Sequence, residues 1–140
     1  MYADPADGLP LVGSHKRSLL GVRPSGATAD VDLNPPGDLN GVVVVNRKGL
    51  SVSADWRSLP GHLIPEDLDD GLNGASGKGI KIYVHGNGNF SEGAVTANLE
   101  VLMKANSLDS GVICPIVAVS LSQYQADLQA TRLQWVIDPR

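Results

Sequence analysis

Cysteine is nearly absent from this chain, and Cys114 stands alone. A single thiol excludes an internal disulfide framework and the paired-cysteine zinc signatures. It lies in the apolar run VICPIV, where burial and chemical inertness are expected. Aromatics are scarce too, six in 140 residues, so the core has to be built from Val, Leu, Ile and Ala. Positive charge is not in surplus. The net charge is −4 and the densest basic spot is the short His15-Lys16-Arg17, which argues against nucleic acid as a main partner. No apolar run approaches the ~18 residues needed to cross a bilayer, so no membrane association is expected. The opening MYADPADGLP carries acids and prolines where a signal peptide needs base and then an apolar run. A cytoplasmic protein, or one delivered into a target cell without a cleavable signal, is the expectation.

What the chain does have is glycine and proline, 16 and 9 of them, above the usual combined share of ~12%. Many turns and long loops follow from that. Residues 1–17 are polar and broken by Pro5, Gly8, Pro10 and Gly13, and read as an extended arm. Residues 18–140 read as one domain, long enough to bury roughly two-thirds of its unfolded surface.

Within that domain the central stretch is GVVVVNRKGLSVSAD, residues 41–55. Four consecutive valines read as a strand buried on both faces. Segments 42–46 and 50–54 flank Arg47-Lys48-Gly49 and read as a hairpin or bent strand pair. Further strands are expected at 18–23, stopped by Pro24, and at 80–85, 94–103 and 112–119, with a short edge strand around Val31 and Leu33. Pro65 with two acids predicts a short helix over 65–70, and Trp56 an anchor packed on the sheet. Ser120 with Gln123, or Ser122 with Gln125, gives a capping pattern for a C-terminal helix. Leu121, Tyr124, Leu128 and Trp135 fall on one face of it. The sum is an α+β single domain: a curved, mainly antiparallel sheet, a C-terminal amphipathic helix and long Gly/Pro loops.

Several motifs fail on their physics. Gly77-Lys78 lacks a glycine five residues earlier, has Gly79 where a Ser or Thr must meet magnesium, and precedes a strand rather than a helix. Gly86-x-Gly88 is followed only by Gly93 and by no helical pattern. His15, His62 and His85 have no metal spacing, so no metal site is expected. The acids of PEDLDDG read as a solvated face. No G-x-S-x-G elbow starts a serine triad, although Ser53, Asp55 and His62 lie close in sequence.

One constellation survives. Arg23 closes the first strand candidate, Ser51 and Ser53 leave the core on a strand, and polar loops hold His62, Glu66 and Glu92. Arginine can grip a phosphate bidentately, a serine hydroxyl can anchor the rest of a nucleotide, and a carboxylate can steady an oxocarbenium-like centre. Each residue also has a plain reading, Arg23 as an ion-pair partner and the serines as ordinary strand residues.

The order of segments resembles the compact ADP-ribosyltransferase-like toxins delivered by type VI secretion systems. The pieces are Val22-Arg23, Gly49-Leu50-Ser51-Val52, Ile64-Pro65-Glu66, Ile113-Cys114-Pro115 and the amphipathic run 124–135. The resemblance implies an NAD-binding cleft lined by Arg23, Ser51, Ser53 and His62, with Ser51 and Glu92 as catalytic residues. It also implies an immunity or secretion protein as partner. The chain departs from the family where Leu50 replaces a threonine, where Ser110-Gly111 replace a histidine, and in lacking a Glu-x-Glu pair. Those departures define a second expectation, a non-enzymatic protein-binding module on a similar scaffold.

Overall fold

The computed structural model describes residues 1–16, 18–24, 29–54, 59, 61–66, 77–85, 92–104 and 109–137. Trp56 and residues 67–70 of the helix expected over 65–70 fall on positions outside these; at the start of that segment Pro65 bridges Gly77 instead. Among the described residues there are eight strands and one α-helix, an α+β domain. The strands are β1 (Leu33–Asn34), β2 (Val42–Val43), β3 (Leu50–Ser53), β4 (Tyr83–His85), β5 (Gly93–Ala94), β6 (Leu99–Met103), β7 (Ser110–Pro115) and β8 (Trp135–Ile137). The helix, α1, is Leu121–Gln129. Every strand pair is antiparallel, in three sheets ordered β1-β2, β3-β7-β6-β5 and β4-β8.

β7 is the spine. Strands on both sides cover its backbone, and Val112, Ile113 and Cys114 are all buried. Pro115 sits at its end opposite Leu99, where no ladder donor is needed. The alternating run 94–103 proves to be two strands, because the Thr96 hydroxyl accepts the Asn98 N–H and turns the chain between β5 and β6.

The valine run is not a strand buried on both faces. Val43 is fully enclosed while Val42 and Val45 stay about two-fifths exposed. Nor do its two halves form a hairpin. β2 pairs with β1, whereas β3 pairs with β7 in a different sheet. A two-residue strand that alternates sides can bury only one of its valines.

The C-terminal helix starts as the capping pattern indicates, the Ser120 hydroxyl accepting the Gln123 N–H at 3.1 Å. Leu121, Tyr124 and Leu128 are its buried face. Trp135 is not on that face. The helix stops, a short 3-10 turn (Arg132–Gln134) follows, and Trp135 enters β8, opposite His85. There its indole N–H donates to the Thr131 hydroxyl at 3.0 Å, so the ring is buried by a strand rather than by a helix.

Two other expectations change. Segment 18–23 is not a strand; Leu20 makes one isolated parallel bridge, to Val12. The opening arm is extended in local shape but fastened to the domain. Tyr2 bridges Ile80, Ala3 bridges Pro10, and the Arg132 guanidinium donates to the Pro10 carbonyl and to the carboxylates of Asp4 and Asp7.

The core gathers Leu20, Val22, Val31, Leu33, Val43, Leu50, Leu99, Ile113, Leu121, Tyr124, Leu128 and Trp135, contributed by α1, the four-stranded sheet and the segments around these two layers. Tyr124 joins those layers with its hydroxyl, which donates to the Ile113 carbonyl at 2.6 Å and accepts the Leu50 N–H at 3.0 Å. Leu50 and Ile113 are register partners, so the hydroxyl stands in for a ladder bond at the mouth of the β3-β7 pair. Gly49 is required there, since a Cβ would lie 2.6 Å from that hydroxyl and 2.5 Å from the Ile113 carbonyl oxygen.

Candidate functional site

Arg23 follows the last buried residue of its segment, Val22, and its fork is filled. Asp30 Oδ2 accepts the Arg23 backbone N–H at 2.7 Å and Nε at 3.3 Å, while Oδ1 accepts Nη2 at 3.1 Å. The Asp30 N–H returns to the Arg23 carbonyl at 2.8 Å. Both side chains are five-sixths buried, at 17% and 16% exposed. A backbone donor and a planar fork converging on two oxygens is the geometry by which arginine holds carboxylates and phosphates. The backbone before this cradle is fixed by Gln125 of α1, whose amide accepts from the Val22 N–H at 3.1 Å and donates to the Val22 carbonyl at 2.8 Å.

Ser51 is exposed on β3, beside Val112. Strand alternation sends Leu50 and Val52 toward the core and Ser51 and Ser53 to the other face. The Ser53 hydroxyl donates to the Asp109 carbonyl at 3.2 Å. Among the described residues β3 is one of the two edge strands of its sheet, its ladder running to β7.

Arg23 and Ser51 are linked through α1, where Gln125 holds Val22 and Tyr124 holds Leu50. The Asp30 charge is felt by the Tyr124 hydroxyl, which in turn holds the N–H of Leu50, the residue before Ser51. Burial is the main cause that pushes this hydroxyl well above the usual tyrosine range; the Leu50 bond opposes it, and the Cys114 and Asp30 charges add to it.

Glu92 does not join them. It precedes Gly93, which registers with Val101, which registers with Ile113 and so with Leu50. Three strand spacings of ~4.8 Å put Glu92 about 14 Å from β3 across the sheet. Its carboxylate is used there, accepting the Met103 N–H at 2.9 Å with Arg47 Nη1 at 3.4 Å. A catalytic pairing of Ser51 with Glu92 is therefore corrected: the register holds them at opposite edges. His62 is exposed on a 3-10 turn (Gly61–Leu63), and no hydrogen bond among the described residues ties it to Arg23 or Ser51.

Sequence reasoning passed over four residues that shape this region. Asp30 lies seven residues from Arg23 in no motif, and Gln125, legible only as a capping candidate, acts on a residue 103 positions away. Tyr124 was legible as a buried face residue, but not as a hydroxyl bridge. Arg47, in the left-handed region at φ 64°, reaches the Met103 carbonyl at 3.0 Å. Burial pushes the Cys114 thiol up, the Glu100 charge adds to this, and Arg47 opposes it. Among the described residues no group of three or more His, Cys, Asp and Glu could hold a metal ion. No helix among them is long and apolar enough to cross a membrane. Comparisons with models of protein families, with curated proteins and with solved structures find no match to this chain.

Proposed function

We propose that this domain binds NAD as a compact ADP-ribosyltransferase-like toxin domain, with Arg23 on the cofactor phosphates and Ser51 beside the nicotinamide. The observation that carries the reading is the Arg23 cradle. A backbone N–H and a guanidinium fork already close on a pair of anionic oxygens, and β3 presents an exposed serine. A phosphate offers the same two acceptors as the Asp30 carboxylate and can take its place. In this reading the natural antagonist is a small immunity protein that covers the β3 edge.

The test has two arms. Expression of the chain in bacteria is expected to arrest growth, with Arg23→Ala and Ser51→Ala each relieving the arrest. Calorimetry with NAD is expected to give a saturable heat that Arg23→Ala removes. A harmless wild-type chain that takes up no NAD heat ends this reading.

One observation favours the alternative, a non-enzymatic protein-binding module on a similar scaffold. Glu92, the acid expected to act with Ser51, is held at the opposite edge of the sheet by Met103 and Arg47. That module would leave the growth of bacteria untouched and hold its partner with any NAD concentration present.

A further inference from the structure

Two consecutive helix residues hold the two halves of the proposed site. Gln125 clamps both backbone groups of Val22, the residue before Arg23. Tyr124 clamps Leu50, the residue before Ser51, and ties it to Ile113 of the central strand. Arg23 and Ser51 are thus each one peptide beyond an anchor, and the anchors are neighbours on α1. No β-ladder pairs Val22 with β3; both Val22 and Leu50 lie in the buried core, and these two side chains make the hydrogen bonds that tie each of them to α1. The fit at Gln125 is close: a Cβ on Gly21, whose φ is 155°, would come within 3.1 Å of the Gln125 amide oxygen and 2.1 Å of the Gly13 carbonyl oxygen.

We infer that Gln125 and Tyr124 are positioning residues for the proposed NAD site, Gln125 setting Arg23 through Val22 and Tyr124 setting Ser51 through Leu50. The inference rests on the NAD-binding reading above. A ligand that spans an arginine fork and a serine depends on their separation, because an ångström of misplacement breaks one contact when the other is made. Gln125 is the sharper of the pair, since it is partly buried at the edge and removing its amide leaves the Tyr124 bridge in place.

NAD titration by calorimetry, with thermal melting and the Arg23 Nε–H NMR signal as parallel readouts, tests this on the whole chain. For Gln125→Leu the expected result is NAD affinity weaker by on the order of tenfold, the Arg23 signal shifted before any ligand is added, and a melting temperature only slightly lowered. Gln125→Glu keeps an oxygen for the Val22 N–H and is expected to recover part of the affinity; it carries the test alone should the leucine variant fail to fold. Gln129→Leu, on the exposed side of α1, should bind as wild type does. If wild-type protein binds NAD and the Gln125 variants bind it equally well, the positioning role is wrong while the NAD reading stands. If wild-type protein binds no NAD, both fall together.

Discussion

At the scale of single residues, the hydroxyl of Tyr124 does the work of a backbone hydrogen bond. It lies in the core with the ring fully buried, and it satisfies one donor and one acceptor that face each other across β3 and β7. Tyr124→Phe leaves the Leu50 N–H and the Ile113 carbonyl without partners in a dry place. The expected loss is about 2–4 kcal/mol of stability, read by urea denaturation. Gly49→Ala should cost at least as much, since the added methyl meets two oxygens that belong to the same bridge. Asp32 gives a gentler test. Hydrogen bonds from Lys48 and Asn46 hold its exposed carboxyl below the usual range. A lowered folded pKa means the contribution is present above the unfolded value and is lost as pH falls through the folded one. Lys48→Met should therefore flatten the acid limb of the stability curve, by an amount that shrinks in high salt. An acid limb unchanged at low salt would show that the Lys48–Asp32 pair, 3.0 Å apart, does nothing for folding.

At the scale of elements, strong local signals were legible and weak ones were not. The cap at Ser120 and the spacing of Leu121, Tyr124 and Leu128 gave the helix, because an N-cap and an amphipathic face are both local. Trp135 continued the helical spacing by chance, and tertiary pairing with His85 took it into a strand instead. The valine run was misleading for a related reason: high β propensity says that a strand fits, not which sheet it joins or how many of its side chains are covered. The opening segment had no periodicity at all, and its position is set by Arg132, far along the chain. Arg132→Gln should release it. Hydrogen exchange over residues 1–12 is expected to accelerate markedly, with α1 unchanged and a global loss of only about 1–2 kcal/mol. Exchange that rises uniformly across the domain would mean the segment is part of one cooperative unit rather than a fastened strap.

At the scale of the whole molecule, the candidate site shows what one sequence can and cannot carry. Arg23 and Ser51 could be named because their residue types suit a nucleotide and the order of the segments that carry them resembles that of a known family. That Asp30, seven residues on, fills the arginine fork belongs to no motif, and that α1 fixes both segments depends on contacts 74 and 103 residues apart that leave no trace in spacing. Glu92 was the natural acid to choose by composition, and only the strand register removes it from Ser51. These facts set a requirement for ligand binding. On the proposed reading NAD would have to displace Asp30 from Arg23, gaining a charged contact where the domain loses an internal one. Binding to the folded state alone still stabilises it by mass action, by about 2.7 kcal/mol at a hundredfold excess over Kd. For a domain of this length that is a rise in Tm on the order of 10 °C. Asp30→Asn keeps the side chain's size but removes the competing charge. It should lower the Tm of the free protein and enlarge the NAD-dependent rise, because less of the cofactor's binding energy is spent on displacement. Arg23→Ala should abolish the rise whatever residue stands at position 30. A rise of equal size in wild type and Asp30→Asn would mean that Asp30 never leaves the fork, and that any nucleotide phosphate is held elsewhere.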